Sequence, residues 1–282
     1  MRGSERLTAL ALLLLSAAAA LARQPEAVSR LVALLALLGA VLALSRTGAR
    51  DGPLGLARDF APVAIVVTIF MLLQPIIAAL NPARYDAVLA AADARWFAPL
   101  GSAWRGALGR PAWFTDLVYA AYVSYYLLPL AVLGAARARR GPEAFEQIAF
   151  ATLLAFYLSY LGYFLWPASG PRVPLADEVL VLGGGAVAAA VRAFLRVAEA
   201  TTLDAFPSGH TALSLVPAAL GTRHFPRWAP LLWAWAAAVI FATVYIQVHY
   251  VVDVVAGVAL GLAALALAPG LQARLAGRAP AP

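Results

Sequence analysis

Apolar residues along this chain are grouped into eight long runs that are separated by shorter polar stretches. The runs cover residues 7–22, 31–45, 60–80, 114–134, 145–166, 208–222, 229–248 and 250–269. About 20 residues cross the core of a bilayer as a helix, whereas membrane-spanning strands appear as shorter segments of alternating hydrophobicity. The pattern therefore predicts an all-α, polytopic membrane protein with about eight transmembrane helices.

The first two runs are short, rich in leucine and alanine, and contain no polar residue suited to chemistry. We interpret residues 1–50 as a transmembrane hairpin, residues 51–270 as a six-helix core, and residues 271–282 as a cytoplasmic tail. Met1 to Arg23 also has the basic start and apolar run of a signal peptide. A second apolar run follows almost at once, which favours an uncleaved first helix.

Two longer polar stretches interrupt the core. Residues 81–113 mix arginines and aspartates with Trp96, Phe97 and Trp104, a combination typical of amphipathic helices in the headgroup zone of a membrane. Residues 167–207 begin with prolines and glycines that must end the preceding helix. Within this stretch, residues 186–200 predict a further short helix.

Composition narrows the classes of function. The chain has 282 residues, of which 63% are hydrophobic and 12% are charged, whereas soluble domains carry about 25% charged residues. It has no cysteine and no lysine, which excludes a thiolate nucleophile, a disulfide, a Schiff-base lysine and a P-loop lysine. The formal net charge is +7. Its arginines are scattered through short loops, which favours membrane-flanking charge over a nucleic-acid-binding face.

The distribution of the arginines indicates how the chain crosses the membrane. With a cytoplasmic N-terminus, twelve arginines fall inside and nine outside, and five of the twelve lie in the tight turns 135–147 and 221–228. The positive-inside rule favours this orientation. It places Arg172, His210 and His249 on the extracytoplasmic side of what we expect to be the inner or plasma membrane.

Two histidines lie beside apolar runs, where ionisable side chains mark functional sites by default. His249 and Asp253 are four residues apart at the start of the last run, a spacing that places two side chains on one face of a helix. The carboxylate could fix the tautomer of the imidazole and leave its other nitrogen basic, as a triad aspartate does. The alternative is a helix-start histidine beside a capping carboxylate.

Residues 207–210 read Pro-Ser-Gly-His and precede the sixth run. Ser208 is a good candidate for the N-cap of a helix, and Gly209 lets the backbone approach a ligand closely. The free N–H groups and the dipole of such a helix start can bind an anion, and His210 would lie where it can protonate a leaving oxygen. The alternative is an ordinary capped helix.

Arg172 follows Gly170-Pro171 just beyond the fifth run. Its guanidinium suits bidentate contact with phosphate, and the alternative is an interfacial arginine. Two histidines and one aspartate could also hold zinc, but the constellation lacks the clustered ligands of a metal site, so we expect no metal and no cofactor. A serine protease is a further alternative, although Ser208 and His210 are too close in sequence to be presumed a dyad.

These pieces resemble the signatures of the type 2 phosphatidic acid phosphatase superfamily. Residues 207–210 match its Pro-Ser-Gly-His signature, His249 and Asp253 match the His-x3-Asp end of its third signature, and Arg172 matches the arginine of its first. The superfamily's first signature ends in arginine–proline, whereas Val173 follows the arginine here.

Two phosphate-binding cations of the superfamily are missing. Leu165 stands where its first signature begins with lysine, and Thr243 stands where its third carries arginine. These losses resemble the branch that contains inositol phosphorylceramide synthases. That branch also has a stretch like residues 81–86, Asn-Pro-Ala-Arg-Tyr-Asp, with an aspartate like Asp93 beyond it. The resemblance covers residues 60–265 and leaves the N-terminal hairpin outside.

The resemblance implies a two-step, metal-independent transfer. His249 would attack phosphorus, Asp253 would hold its imidazole, and His210 would serve first as acid and then as base. Arg172 and the backbone around Ser208 and Gly209 would bind the phosphate. Three further residues are candidates for substrate binding: Arg84, Tyr163 and Tyr245.

With fewer cations than the phosphatases, such a site favours a phosphodiester monoanion over a phosphate dianion. We therefore expect a lipid phosphotransferase that moves a phosphate-bearing head group between membrane lipids, and we expect no nucleic acid as partner. The alternative on the same fold is a lipid phosphate phosphatase that transfers to water. A transporter is the alternative from another class, which inverted repeats would favour. The oligomeric state stays open.

Overall fold

The computed structural model of the chain describes residues 1–97, 106–172, 182–198 and 201–277. Within these ranges the secondary structure is helical, with no strand. Seven helical segments of the described residues are long and apolar enough to cross a membrane. The prediction of an all-α, polytopic membrane protein is confirmed.

Eleven α-helices are formed by the described residues. In chain order they are α1 (Gly3–Leu21), α2 (Pro25–Arg46), α3 (Gly52–Leu80), α4 (Asp86–Phe97), α5 (Ala112–Val123), α6 (Leu127–Arg139), α7 (Pro142–Leu165), α8 (Ala186–Ala198), α9 (Gly209–His224), α10 (Ala229–Tyr245) and α11 (Val251–Leu275). A 3-10 turn over Ser124–Tyr126 joins α5 to α6, so that the two together form one apolar span. Another, over Pro226–Trp228, precedes α10.

Each of the eight predicted runs is helical, the fourth as the joined span of α5 and α6, and the segment formed by α9 is the shortest. Its 16 residues extend about 24 Å, short of the roughly 30 Å core of a bilayer, and it is not among the seven candidate spans. It packs against α6, α7, α10 and α11 and is buried along most of its length. Since other helices surround it, α9 does not have to face lipid across the whole membrane.

The short helix predicted within residues 186–200 forms as α8, and residues 199 and 200 lie outside the described residues. Asp116 holds its start, because one carboxylate oxygen accepts hydrogen bonds from the backbone N–H groups of Gly185 at 2.8 Å and Ala188 at 2.9 Å. The predicted interfacial helix after α3 forms as α4. Trp104 in the same stretch, Val173, and residues 278–282 of the predicted tail lie outside the described residues.

Several loops meet at one end of the bundle. The side-chain amide of Asn81, which follows α3, donates to the Phe164 carbonyl at the end of α7 at 2.9 Å. The Ala205 N–H donates to the Ala168 carbonyl at 3.0 Å, and the Ser208 N–H donates to the Asp253 carbonyl at 3.0 Å. The ends of α3 and α7 and the starts of α9 and α11 are therefore fixed together.

Ion pairs join the helices at the opposite end. Arg58 of α3 donates to Glu5 of α1 at 2.5 Å, and both side chains are buried. Asp59 pairs with Arg2 and with Arg137 of α6, the latter at 2.5 Å. Removing one partner of a buried ion pair leaves an unpaired buried charge, which is strongly unfavourable. These ion pairs therefore hold α1 against the core. The next helix, α2, is mostly exposed.

Candidate active site

The centre of the site is a direct contact between two buried imidazoles. Nδ1 of His210 lies 3.1 Å from Nε2 of His249, and the two residues are 7% and 2% exposed. His210 is the second residue of α9, and His249 lies in the turn before α11. At this distance the two nitrogens share one hydrogen bond, so a proton can pass between them.

The turn that carries His249 is set by the end of α10. Gln247 has a φ of 60°, which is uncommon for a residue other than glycine. The N–H groups of Val248 and His249 both donate to the Thr243 carbonyl, at 2.9 and 3.1 Å. These contacts reverse the chain, so that α11 begins only at Val251.

His249 therefore precedes the helix, and the prediction that it shares a helix face with Asp253 is wrong. The two side chains still face each other, because Nδ1 of His249 lies 3.5 Å from Oδ2 of Asp253. The same oxygen accepts the Tyr250 N–H at 2.8 Å and so caps α11. The capping interpretation of Asp253 is therefore confirmed, and the same carboxylate faces His249.

Tyr250 lies between these two residues in the chain and is surrounded by carboxylates. Burial, together with the charges of Asp86, Asp253 and Asp93, raises the pKa of Tyr250 to about 12. Its hydroxyl therefore stays protonated at neutral pH.

The predicted N-cap at Ser208 is confirmed. Its hydroxyl oxygen accepts the Thr211 N–H at 3.3 Å and the Thr211 hydroxyl at 3.0 Å. The Ser208 N–H, however, donates to the Asp253 carbonyl, so it is not available as the predicted phosphate-binding donor. Gly209 is required for close packing, because a Cβ there would collide with the Tyr163 hydroxyl.

Arg172 forms an ion pair that the sequence did not suggest. Its guanidinium donates to the carboxylate of Asp204, and the two side chains are 19% and 5% exposed. Asp204 stands four residues before Ser208, with apolar residues on both sides. A charged residue in such a stretch could have indicated from the sequence that Asp204 belongs to the site. The Arg172 loop packs closely against the His249 turn, because Gly170 has a φ of 72° and a Cβ there would collide with the Val248 carbonyl.

Helix α4 fastens two parts of the site. The Asp86 carboxylate accepts the N–H groups of Ser169 at 2.8 Å and Gly170 at 2.9 Å, which holds the loop leading to Arg172. Asp93 accepts the Val252 N–H at 3.0 Å, which holds the start of α11. The two aspartates thus position the Arg172 loop and the His249 turn relative to each other.

The candidates for substrate binding occupy different places. Arg84 is exposed and donates to the Pro82 and Ala83 carbonyls of its own loop at 3.3 and 2.9 Å. The Tyr245 hydroxyl donates to the Gly109 carbonyl at 3.1 Å, and its ring packs against Phe114. Tyr163 lines a cavity beside His210. A binding role for any of the three residues stays a prediction.

This cavity has a volume of about 340 Å³. Half of its lining residues are phenylalanines and tyrosines, and His210 and Asp204 also line it; the aromatic residues are Phe70, Tyr125, Tyr126, Phe156, Tyr160, Tyr163 and Phe194. Val67 and Met71 of α3 also line it and are 41% and 42% exposed. The cavity therefore reaches the outer face of α3, which would meet lipid.

Two tyrosines pack directly on His210. The ring centroids of Tyr122 and Tyr125 lie 4.8 and 4.4 Å from that of His210. Both stand in the fourth predicted run, which has tyrosines at 119, 122, 125 and 126. This concentration of tyrosines could have indicated from the sequence that the run lines the site. The rings restrict how far the His210 imidazole can rotate.

The zinc alternative gains no support from the part of the chain that the structure describes, which contains no group of three metal-ligating side chains close enough to hold an ion.

One family model, described as the PAP2 superfamily, matches this chain over residues 87–267. The matched region contains Arg172, Asp204, the Pro-Ser-Gly-His motif and the His249 turn. No curated protein and no solved structure matches the chain significantly.

Proposed function

Since this chain belongs to the PAP2 superfamily of membrane phosphatase-type enzymes, we propose that it is an integral-membrane lipid phosphotransferase. It moves a phosphate-bearing head group from a donor phospholipid to a lipid alcohol, as in the inositol phosphorylceramide synthase branch that it resembles. The observation that carries the proposal is the buried His210–His249 contact beside a largely apolar cavity that His210 lines.

In the first step the lone pair on His249 Nε2 attacks phosphorus. Asp253 faces the other ring nitrogen at 3.5 Å and stabilises its proton, which keeps Nε2 basic. The N–P bond forms while the bond from phosphorus to the lipid oxygen breaks, and His210 supplies the proton for the departing alkoxide. The product of this step is a phosphohistidine.

In the second step the acceptor hydroxyl attacks the phosphohistidine. His210, now neutral, takes the proton of that hydroxyl, the new O–P bond forms, and His249 leaves with its electron pair. The acceptor is a lipid alcohol in a transferase and water in a phosphatase. Arg172 offers its guanidinium to the charge on the oxygens around phosphorus.

The tight contact between the imidazoles has a consequence for this mechanism. Attack requires the entering nitrogen and the leaving oxygen to lie on opposite sides of phosphorus. Two nitrogens 3.1 Å apart leave no room for a phosphoryl group between them. Substrate binding must therefore separate His210 from His249, so that His210 follows the leaving oxygen.

The preference for transfer over monoester hydrolysis is supported by the positions where the superfamily's cations are missing. Leu165 is apolar and half-exposed, and Thr243 is buried with its hydroxyl donating to the Ile240 carbonyl at 2.7 Å. Neither side chain can neutralise a second phosphate charge. This favours a phosphodiester, which carries a single charge.

The cavity supports a lipid as the substrate. Its aromatic wall suits an acyl chain, because burial of apolar surface contributes about 25 cal/mol per Å². The opening at Val67 and Met71 faces the outside of α3, so a lipid can enter from within the bilayer. The active site faces the extracytoplasmic side of the membrane, because the arginine distribution favours a cytoplasmic N-terminus.

A lipid phosphate phosphatase remains the second candidate, because the family match itself points to phosphatase-type chemistry. It would use the same residues with water as the acceptor. The substrates would then be phosphomonoester lipids such as phosphatidate or polyprenyl phosphates.

Phosphorus NMR of the detergent-purified protein separates the two candidates. A phospholipid panel is incubated with and without ceramide or diacylglycerol, using His249→Ala as the inactive variant and His224→Ala as the matched histidine control. A new diester signal that needs the acceptor establishes the transferase. Free phosphate or phosphomonoester that forms regardless of acceptor establishes the hydrolase.

A further inference from the structure

The carboxylate of Asp204 occupies a place where a phosphatase would be expected to keep positive charge. It pairs with the guanidinium of Arg172, the candidate phosphate-binding cation, and its side chain is only 5% exposed. It also lines the cavity beside His210. A phosphate at His249 must therefore share Arg172 with a negative charge that the protein already holds.

This pairing changes what the site can accept. A phosphodiester brings one negative charge, which Arg172 can meet. A phosphomonoester brings a second charge above its second pKa of about 6, and that charge faces the Asp204 carboxylate in a desolvated cavity, where Coulombic repulsion is strong. The charged and titratable groups that line the cavity or pair with Asp204 are Arg172, His210, Tyr125, Tyr126, Tyr160 and Tyr163.

We propose that Asp204 is a specificity-determining residue that admits singly charged phosphates and rejects dianionic ones. The inference rests on the proposed function, since it assumes that phosphorus reacts at His249. The negative charge of Asp204 thus selects the substrate class together with the absence of the superfamily's two cations at Leu165 and Thr243.

A matched pair of substrates tests this selection. Phosphatidate and phosphatidylmethanol share their acyl chains and their leaving group, and both release diacylglycerol when the bond from phosphorus to glycerol breaks. The ratio of their kcat/KM values is measured with ceramide present. Effects on folding or on the histidines alter both rates alike and cancel in the ratio.

Asp204→Asn keeps the shape of the side chain and removes its charge. It is expected to shift the ratio toward phosphatidate by about tenfold or more, whereas Asp204→Glu keeps the wild-type ratio. Asp51→Asn, an exposed aspartate at the start of α3, is the matched control. If Asp204 had only a structural role, Asp204→Asn would lower the rates on both substrates and leave their ratio unchanged. That result would overturn the inference.

The wild-type protein provides a test that does not depend on how a variant folds. Its relative rate on phosphatidate is expected to rise as the pH falls from 8 to 5, since the monoester then becomes a monoanion. A ratio that stays flat with pH overturns the charge selection while leaving the phosphotransferase intact. Absence of diacylglycerol from both substrates would instead overturn the proposed function and the inference with it.

Discussion

The Asp93 carboxylate of α4 accepts a hydrogen bond at 3.0 Å from the backbone N–H of Val252, the second residue of α11. This contact joins residues 159 positions apart in the chain. It satisfies one of the unpaired N–H groups at the start of a helix and places a negative charge at the positive end of the helix dipole. It also fixes the turn from which His249 projects.

Asp93→Ala is expected to lower the free energy of unfolding by about 1–2 kcal/mol, since a helix-start N–H loses its acceptor. Activity should fall more than stability suggests, because the His249 turn loses its anchor. Asp93→Asn retains an oxygen at the same place and should lie close to the wild type. Thermal unfolding in detergent, together with the rate of diacylglycerol release, checks both; equal behaviour of the two variants would contradict the anchoring role.

The roles of the two site histidines can be separated by the leaving group. His249→Ala removes the nucleophile and should abolish phosphohistidine formation with every substrate. His210→Ala removes the acid and should slow cleavage of a lipid ester about 10²–10⁴-fold. The loss should be much smaller with a phenolic leaving group such as p-nitrophenol, which departs without protonation.

His224 is the control for both substitutions. It is the last residue of α9, whose second residue is His210, so His224→Ala changes a histidine of α9 without touching the site and should keep wild-type rates. If His210→Ala lost as much activity on the p-nitrophenyl substrate as on the lipid, His210 would not be the acid.

Close packing of α11 on α9 depends on one glycine. A Cβ at Gly257 would lie 2.5 Å from the Ser208 carbonyl oxygen and 2.8 Å from the Thr211 Cβ. Gly257→Ala should therefore push apart the helices that carry the two histidines, destabilise the protein by about 1–3 kcal/mol and lower activity.

Gly261 lies one turn further along α11 and provides the comparison. A Cβ there would lie 3.4 Å from the Ala212 Cα, which is close to ordinary van der Waals contact. Gly261→Ala should be tolerated, with an unfolding temperature and a rate near those of the wild type. Similar losses for both glycines would mean that helix packing is not what makes position 257 sensitive.

Local spacing explains which features the sequence could predict. The Ser208 cap acts over three residues, and the His249–Asp253 contact acts over four, so each is visible in a short stretch of sequence. The apolar runs likewise determine the helices. The prediction that His249 and Asp253 share a helix face was wrong because the positive φ of Gln247 delays the start of α11. Glutamine rarely adopts a positive φ, so the sequence does not indicate this turn.

Long-range contacts explain what the sequence could not predict. Asp204 reaches Arg172 across 32 residues, and Asp86 holds Ser169 across 83. A carboxylate in a loop carries no sign of which cation or N–H group it will meet once the helices pack. The same holds for Arg84, which the sequence offered as a candidate for substrate binding and whose guanidinium donates to its own loop.

Binding of a transition-state analogue should break the contact between the two imidazoles. Orthovanadate adopts the five-coordinate geometry of the transferring phosphoryl group and would bond to His249 Nε2, which now lies 3.1 Å from His210 Nδ1. Because the chain has three histidines, 15N-histidine labelling gives few signals, and His224→Ala assigns one of them. The coupling across the His210–His249 hydrogen bond should disappear on adding vanadate, while the His224 signals stay in place. A coupling that persists with vanadate bound would show that His210 does not follow the leaving oxygen, and the acid would have to be sought among the tyrosines that pack on it.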